Sequence, residues 1–130
     1  MTNGRFQILG IAGSLRLASY NRGLIRAAQQ VAPDGVEIAA FDLLPIPLYN
    51  ADVEAEGAPA PVRDLKERIR AADALLIATP EYNYSIPGVQ KNAIDWASRP
   101  PQDSPLRHKP IGLMGASPGG FGTVRSQLST

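Results

Sequence analysis

Apolar runs alternate with amphipathic segments along this chain, and that alternation constrains the fold more than any other feature. Residues 6–12 (FQILGIA), 74–79 (ALLIAT) and 111–116 (IGLMGA) are nearly continuous apolar runs, the pattern of strands buried on both faces. Residues 36–41 (VEIAAF) form a second, shorter strand in chain order. Between the first two strands, Leu24, Ala28 and Val31 recur at helical spacing over 19–32, and Ala32-Pro33-Asp34-Gly35 stops that helix. Residues 62–72 predict an amphipathic helix with Val62, Leu65 and Ile69 inward and the pairs Arg63/Glu67 and Asp64/Arg68 on the wet side. Pro87 opens a third helix with Val89, Ala93 and Trp96 on one face. A fourth begins near Gly122 or Thr123. Residues 42–61 and 99–110, rich in proline, read as loops. The β-α-β-α-β-α-β-α order predicts an α/β domain built on a doubly wound parallel sheet.

The chain has 130 residues, which predicts one domain, 1–130. A net charge of +1 with no charge run gives no bulk attraction to nucleic acid or to a membrane surface. No apolar run reaches transmembrane length and the start carries no signal-peptide pattern, so a cytoplasmic protein is expected. There is no cysteine, which excludes disulfides, thiolate metal sites and thiol redox chemistry. Any redox work therefore falls to a bound cofactor.

Doubly wound sheets bind ligands outside the carboxyl ends of their strands, at the switch in strand order. That singles out the loops after the first, third and fourth strands. The first, Gly13-Ser14-Leu15-Arg16-Leu17-Ala18-Ser19-Tyr20-Asn21, leads into a helix. A helix start offers unpaired N–H groups and a partial positive charge to an anion. Ser14, Ser19 and Asn21 add neutral donors and Arg16 adds a forked cation. One cation with several neutral donors suits a single terminal phosphate. The triphosphate pattern G-x-x-x-x-G-K-[ST] is absent, as is G-x-G-x-x-G. Taken alone, Ser19 reads equally as a plain N-cap and Arg16 as a solvated residue.

The second loop, Pro80-Glu81-Tyr82-Asn83-Tyr84-Ser85-Ile86-Pro87-Gly88, is stiffened by two prolines and carries two tyrosines beside an amide. That mixture suits a flat heterocycle with a polar edge, whereas a lone tyrosine is more often packing. The third, 116–123 (ASPGGFGT), has enough glycine for backbone N–H groups to approach a ring, or is simply a turn before a helix. His108, in a polar loop, reads as a surface residue. Trp96 reads as core and Asp95 as a helix-surface or interface charge. No His/carboxylate spacing suggests a metal, so none is expected.

GSLRLASYN at 13–21, PLYN at 47–50, PEYNYSIPGVQKNAIDWASRP at 80–100 and KPIGLMGASPGGFGTVRSQ at 109–127 together resemble the NADPH-dependent FMN reductase family. The resemblance implies a flavodoxin-like fold and hydride transfer from NADPH or NADH through FMN to a small acceptor, such as a flavin, quinone, azo compound or chromate. It implies that Ser14, Arg16, Ser19, Tyr20 and Asn21 hold the phosphate end of FMN. Pro80, Glu81, Tyr82 and Asn83 would line the ribityl chain and ring, with Ser117 and Gly119 bordering the ring opposite. No catalytic side chain is implied, because flavin N5 takes the hydride. A homodimer or homotetramer is implied too.

A flavodoxin-like sheet has five strands in the order 2-1-3-4-5. The sequence reads as a C-terminally truncated version, lacking the fifth strand and last helix. The fourth strand is then expected at an edge despite its buried-looking sequence. Two other readings stay open: an electron carrier without NAD(P)H turnover, and an inactive flavin-binding remnant.

Overall fold

The computed structural model describes residues 4–130, so the first three residues of the predicted 1–130 domain lie outside the described part. Four strands, β1 (Phe6–Ala12), β2 (Val36–Phe41), β3 (Ala74–Ala78) and β4 (Ile111–Met114), form one parallel sheet in the order β2-β1-β3-β4. Five helices accompany them: α1 (Tyr20–Val31), α2 (Ala51–Ala55), α3 (Ala60–Ala71), α4 (Gly88–Ala97) and α5 (Val124–Ser129). None is long and apolar enough to cross a membrane.

Strand register explains how helices cover both faces. Leu9 and Ile11 of β1 stand beside Leu75 and Ile77 of β3, and alternation puts all four on one face. There Leu9, Ile11 and Leu75 form a core with Leu65 and Ile69 of α3 and Ala93 and Ala97 of α4. The other face, through Gly10, packs on Ile25 of α1. The predicted face of α1 is thus one residue out: Ile25 is buried, while Val31, the last residue of the helix, is 78% exposed. In α3 the predicted Val62, Leu65 and Ile69 are all buried.

The predicted loop 42–61 contains a helix. Asn50 caps α2 by accepting from the Asp52 N–H at 2.9 Å, but five residues are too few for a periodic signal. Of the two predicted ion pairs on α3, Asp64–Arg68 forms at 3.3 Å; Arg63 instead donates to the Ala58 carbonyl. Pro87 stands at the N-cap of α4 rather than inside its first turn. Trp96 is wholly buried, as expected. Asp95 pairs with Lys91 on the helix surface at 2.6 Å.

β4 does lie at the sheet edge, and its apolar sequence is not buried: Ile111 is 45% and Leu113 37% exposed. Both sit in register with the core residues Leu75 and Ile77 of the neighbouring strand.

The segment 47–50 is fastened to α4. Trp96 Nε1 and Asn92 Nδ2 both donate to the Pro47 carbonyl at 2.8 Å. Asn92 Oδ1 accepts from the Tyr49 N–H, and the Tyr49 ring meets Trp96 edge-on at 4.9 Å. Beyond it, Glu54 accepts from Tyr49 Oη at 3.0 Å and from Arg99 Nε at 2.9 Å. Desolvation raises the carboxyl pKa of Glu54, but the bonds from Arg99 and Tyr49 and the charge of Arg99 outweigh it and hold the pKa low.

Replacing Trp96 by Ala removes the largest buried side chain together with the Pro47 bond, and is expected to cost about 3–5 kcal/mol in urea denaturation. Because the folded-state pKa of Glu54 is depressed, its pairing stabilises the fold above the unfolded pKa and is lost as pH falls through the folded one. Glu54→Gln is therefore expected to flatten the acid limb of a stability–pH profile and leave its slope near neutrality unchanged.

Candidate functional site

The carboxyl ends of β1, β3 and β4 meet at one place, and two hydrogen bonds extend the ladder beyond the strands to hold them there. Gly13 N–H donates to the Ala78 carbonyl and Thr79 N–H to the Met114 carbonyl, both at 2.8 Å. Above these bonds lies an open cleft of about 270 Å³ lined by Ser14, Arg16, Ser19, Tyr20, Asn21, Pro80, Glu81, Tyr82, Ala116, Ser117 and Pro118. A second hollow of about 360 Å³ adjoins it and shares Ser14, Arg16 and Tyr82.

Nine of the eleven sequence-predicted residues therefore line one cleft. Asn83 and Gly119 do not line it. Asn83 lies at the tip of a tight hairpin turn, closed by the Tyr82 N–H to Ser85 carbonyl bond at 3.1 Å and its reciprocal at 3.0 Å. Asn83 and Tyr84 take φ of 51° and 65°, the left-handed pair of a type I′ turn. Gly119 donates its N–H to Ser117 Oγ at 3.0 Å on the exposed outer turn.

The first loop divides its work among its residues. Ser19 is the N-cap of α1, accepting from the Asn21 N–H at 3.1 Å and more weakly from Arg22. Ser14 is buried, and its Oγ accepts from the Arg16 N–H. Asn21 is 2% exposed and binds one residue twice: Nδ2 donates to the Ala116 carbonyl at 3.3 Å while Oδ1 accepts the Ala116 N–H at 3.1 Å. Its amide thus staples the start of α1 to the end of β4. Arg16 is exposed, and among the described residues its guanidinium has no hydrogen-bond or ion-pair partner. Nor do the N–H groups of Leu15, Leu17, Ala18 and Tyr20. Unpaired N–H groups at a helix start, beside a free cation, make an anion-binding concavity.

Gly13 has φ in the ordinary range, so no left-handed turn requires a glycine there. A Cβ there would overlap Gln90 Oε1 and approach Pro80 Cδ to 3.2 Å. The residue lets the first loop pass directly against the second. Gly115 does the same for the third: a Cβ would overlap Thr123 and come within 2.5 Å of the Thr79 carbonyl. Gln90 carries a cost in this crowding. Its Nε2 reaches Thr130 Oγ1 at 2.9 Å, but its buried Oε1 meets no donor among the described residues.

Glu81 lines the cleft with its carboxylate already engaged. Oε1 accepts the N–H groups of Arg125 and Ser126 at 2.7 and 3.0 Å, and Oε2 lies 3.5 Å from Arg125 Nη1. The Arg125 guanidinium lies over the Tyr84 ring at 4.5 Å and the Phe121 ring at 5.0 Å. Arg125 was not visible as a site residue in the sequence, nor were Thr79 and Ser126, whose hydroxyls meet at 2.6 Å in the core. The Glu81–Arg125 and Thr79–Ser126 bonds each span more than forty positions.

Comparison with known proteins identifies the family. The model of the NADPH-dependent FMN reductase family matches residues 6–130. The chain belongs to that family. Within the NADPH-dependent FMN reductases, it is 56% identical over 121 residues to an NAD(P)H-dependent FMN reductase of Pseudomonas aeruginosa, covering 93% of this chain and 65% of that protein. It is 47% identical over 125 residues to a quinone reductase of Escherichia coli, covering 95% and 66%. The structure of FerB, a flavoenzyme NAD(P)H:(acceptor) oxidoreductase from Paracoccus denitrificans, superposes with a TM-score of 0.87 at 41% identity, covering 94% of this chain and 66% of that one. The flavodoxin-like α/β fold is thereby shared. The chain spans just under two thirds of the length of these relatives.

Substituting Asn21 by Leu, close to it in size, would leave the part-buried N–H and carbonyl of Ala116 without their amide partner. The expected loss is about 1–3 kcal/mol in total, measured by urea denaturation.

Proposed function

We propose that this chain binds FMN in the cleft at the ends of β1, β3 and β4 and acts as an oxidoreductase. Hydride passes from NADPH or NADH to a small acceptor such as a flavin, quinone, azo compound or chromate. One observation carries the reading: a loop of unpaired N–H groups with a free guanidinium opens onto the same cleft as a stiff tyrosine-bearing loop. The names of the family and of its relatives as reductases support it, and give no support to an electron carrier without NAD(P)H turnover.

The donor set fits the group. Ser14, Arg16, Ser19, Tyr20 and Asn21 would hold the phosphate end: Arg16 by charge, Ser19 and Asn21 by fixing the helix start that presents the N–H groups. Pro80, Glu81, Tyr82 and Asn83 would flank the ribityl chain and ring on one side, with Ser117 and Gly119 on the other. FMN bound there supplies hydride acceptance and release. The protein's own residues fix the ring and leave one side open to successive reactants, which positioning alone makes productive. No side chain here is asked to move a proton.

We place this activity in the cytoplasm, in a homodimer or homotetramer. Leu17, Tyr20, Tyr82, Tyr84 and Phe121 are exposed around the cleft mouth, an apolar rim of the kind that subunits cover.

The test is to load the protein with FMN and follow NADPH and NADH oxidation with a quinone and with free flavin. Turnover is expected. Full FMN occupancy with no oxidation by any acceptor would refute the reading. Arg16→Ala is expected to weaken FMN binding about tenfold, read by quenching of flavin fluorescence, with no change in the urea midpoint.

A further inference from the structure

We propose that Glu81 is a positioning residue: its carboxylate fixes the spacing between the loop after β3 and the loop after β4 by capping the first turn of α5. The proposal rests on the reading that these two loops flank a flavin ring.

The helix itself supplies the first argument. Its N-cap position, Thr123, makes no side-chain capping bond; the Thr123 hydroxyl instead accepts from Gln127 Nε2 at 2.9 Å. The N–H groups of the second and third helical residues, Arg125 and Ser126, would be orphans. Glu81 Oε1 accepts both, so a residue 44 positions before Arg125 does the work of a cap. Two charge-assisted donors fill that oxygen.

Arg125 supplies the second. Its guanidinium, near Glu81 Oε2, faces Tyr84 of one loop and Phe121 of the other. A single side chain therefore bridges aromatic groups from both walls, and Glu81 orients it. The Thr79–Ser126 hydroxyl pair anchors the same helical turn to the end of β3 from below. The walls are tied at two heights. The upper tie runs through Glu81, and the phosphate loop has no part in it.

Flavin-free wild type, Glu81→Ala and Glu81→Gln are titrated with FMN and with riboflavin by fluorescence quenching, and amide exchange is followed at Arg125 and Ser126. Glu81→Ala is expected to speed exchange at both amides and weaken both flavins by the same factor, about tenfold or more. The preference for FMN over riboflavin, which reports the phosphate loop, then stays as in wild type. Glu81→Gln, whose amide oxygen still accepts two N–H groups, is expected to stay within about threefold of wild type. If Glu81→Ala does not fold, Glu81→Asp takes its place, because its carboxylate is one methylene short of the helix.

Three results would overturn the proposal: wild-type affinity in Glu81→Ala, equal loss in Glu81→Gln and Glu81→Ala, or a collapse of the FMN preference. A wild-type chain that binds neither flavin overturns the reading of the site, and the proposal with it. Any of the three results in a wild type that binds FMN overturns the proposal alone.

Discussion

Everything at this site depends on where β1 pairs. Its neighbours are β2 on one side and β3 on the other, both parallel to it. Parallel pairing requires each connection to cross over the sheet, and right-handed crossovers in opposite directions must leave on opposite faces. α1 therefore packs on one face and α3 on the other. The loops leaving β1 and β3 diverge and open a crevice between them. Hydrogen bonds from Gly13 to Ala78 and from Thr79 to Met114 keep that crevice narrow at its base. The absence of a side chain at Gly13 and Gly115 lets the three loop roots come that close.

Much of this was legible from residue order. Strand limits 6–12 and 36–41 match the structure, because apolar runs bounded by turn residues leave little choice of ends. The gathering of Ser14, Arg16, Ser19 and Tyr82 into one cleft followed from the topology alone. What the sequence hid was chiefly non-local. Asn21 reads as a ligand-facing donor, yet both ends of its amide are spent on Ala116, 95 positions away. Glu81 has the same character. Local helical spacing chose Leu24 and Val31 for the face of α1 that Ile25 leads, because an amphipathic stripe is wide enough to admit neighbouring choices.

β4 teaches a different lesson. Its residues read as buried because a continuous apolar run records what a strand is suited to, not which neighbours it has. In the four-stranded sheet its core-side residues lie in register with Leu75 and Ile77 but stay partly exposed.

The turn at 82–85 separates shape from chemistry. Its backbone is closed by its own pair of hydrogen bonds, and the left-handed conformations at Asn83 and Tyr84 belong to the turn type. Both residues are exposed, Tyr84 with the Arg125 guanidinium over its ring, and neither side chain is needed to close the turn. Any residue that tolerates the left-handed region can occupy position 83 without moving the walls. On the reading proposed above, such a scaffold can change what it shows to an incoming acceptor while the walls of the cleft stay fixed, so acceptor preference can drift by single substitutions at the rim.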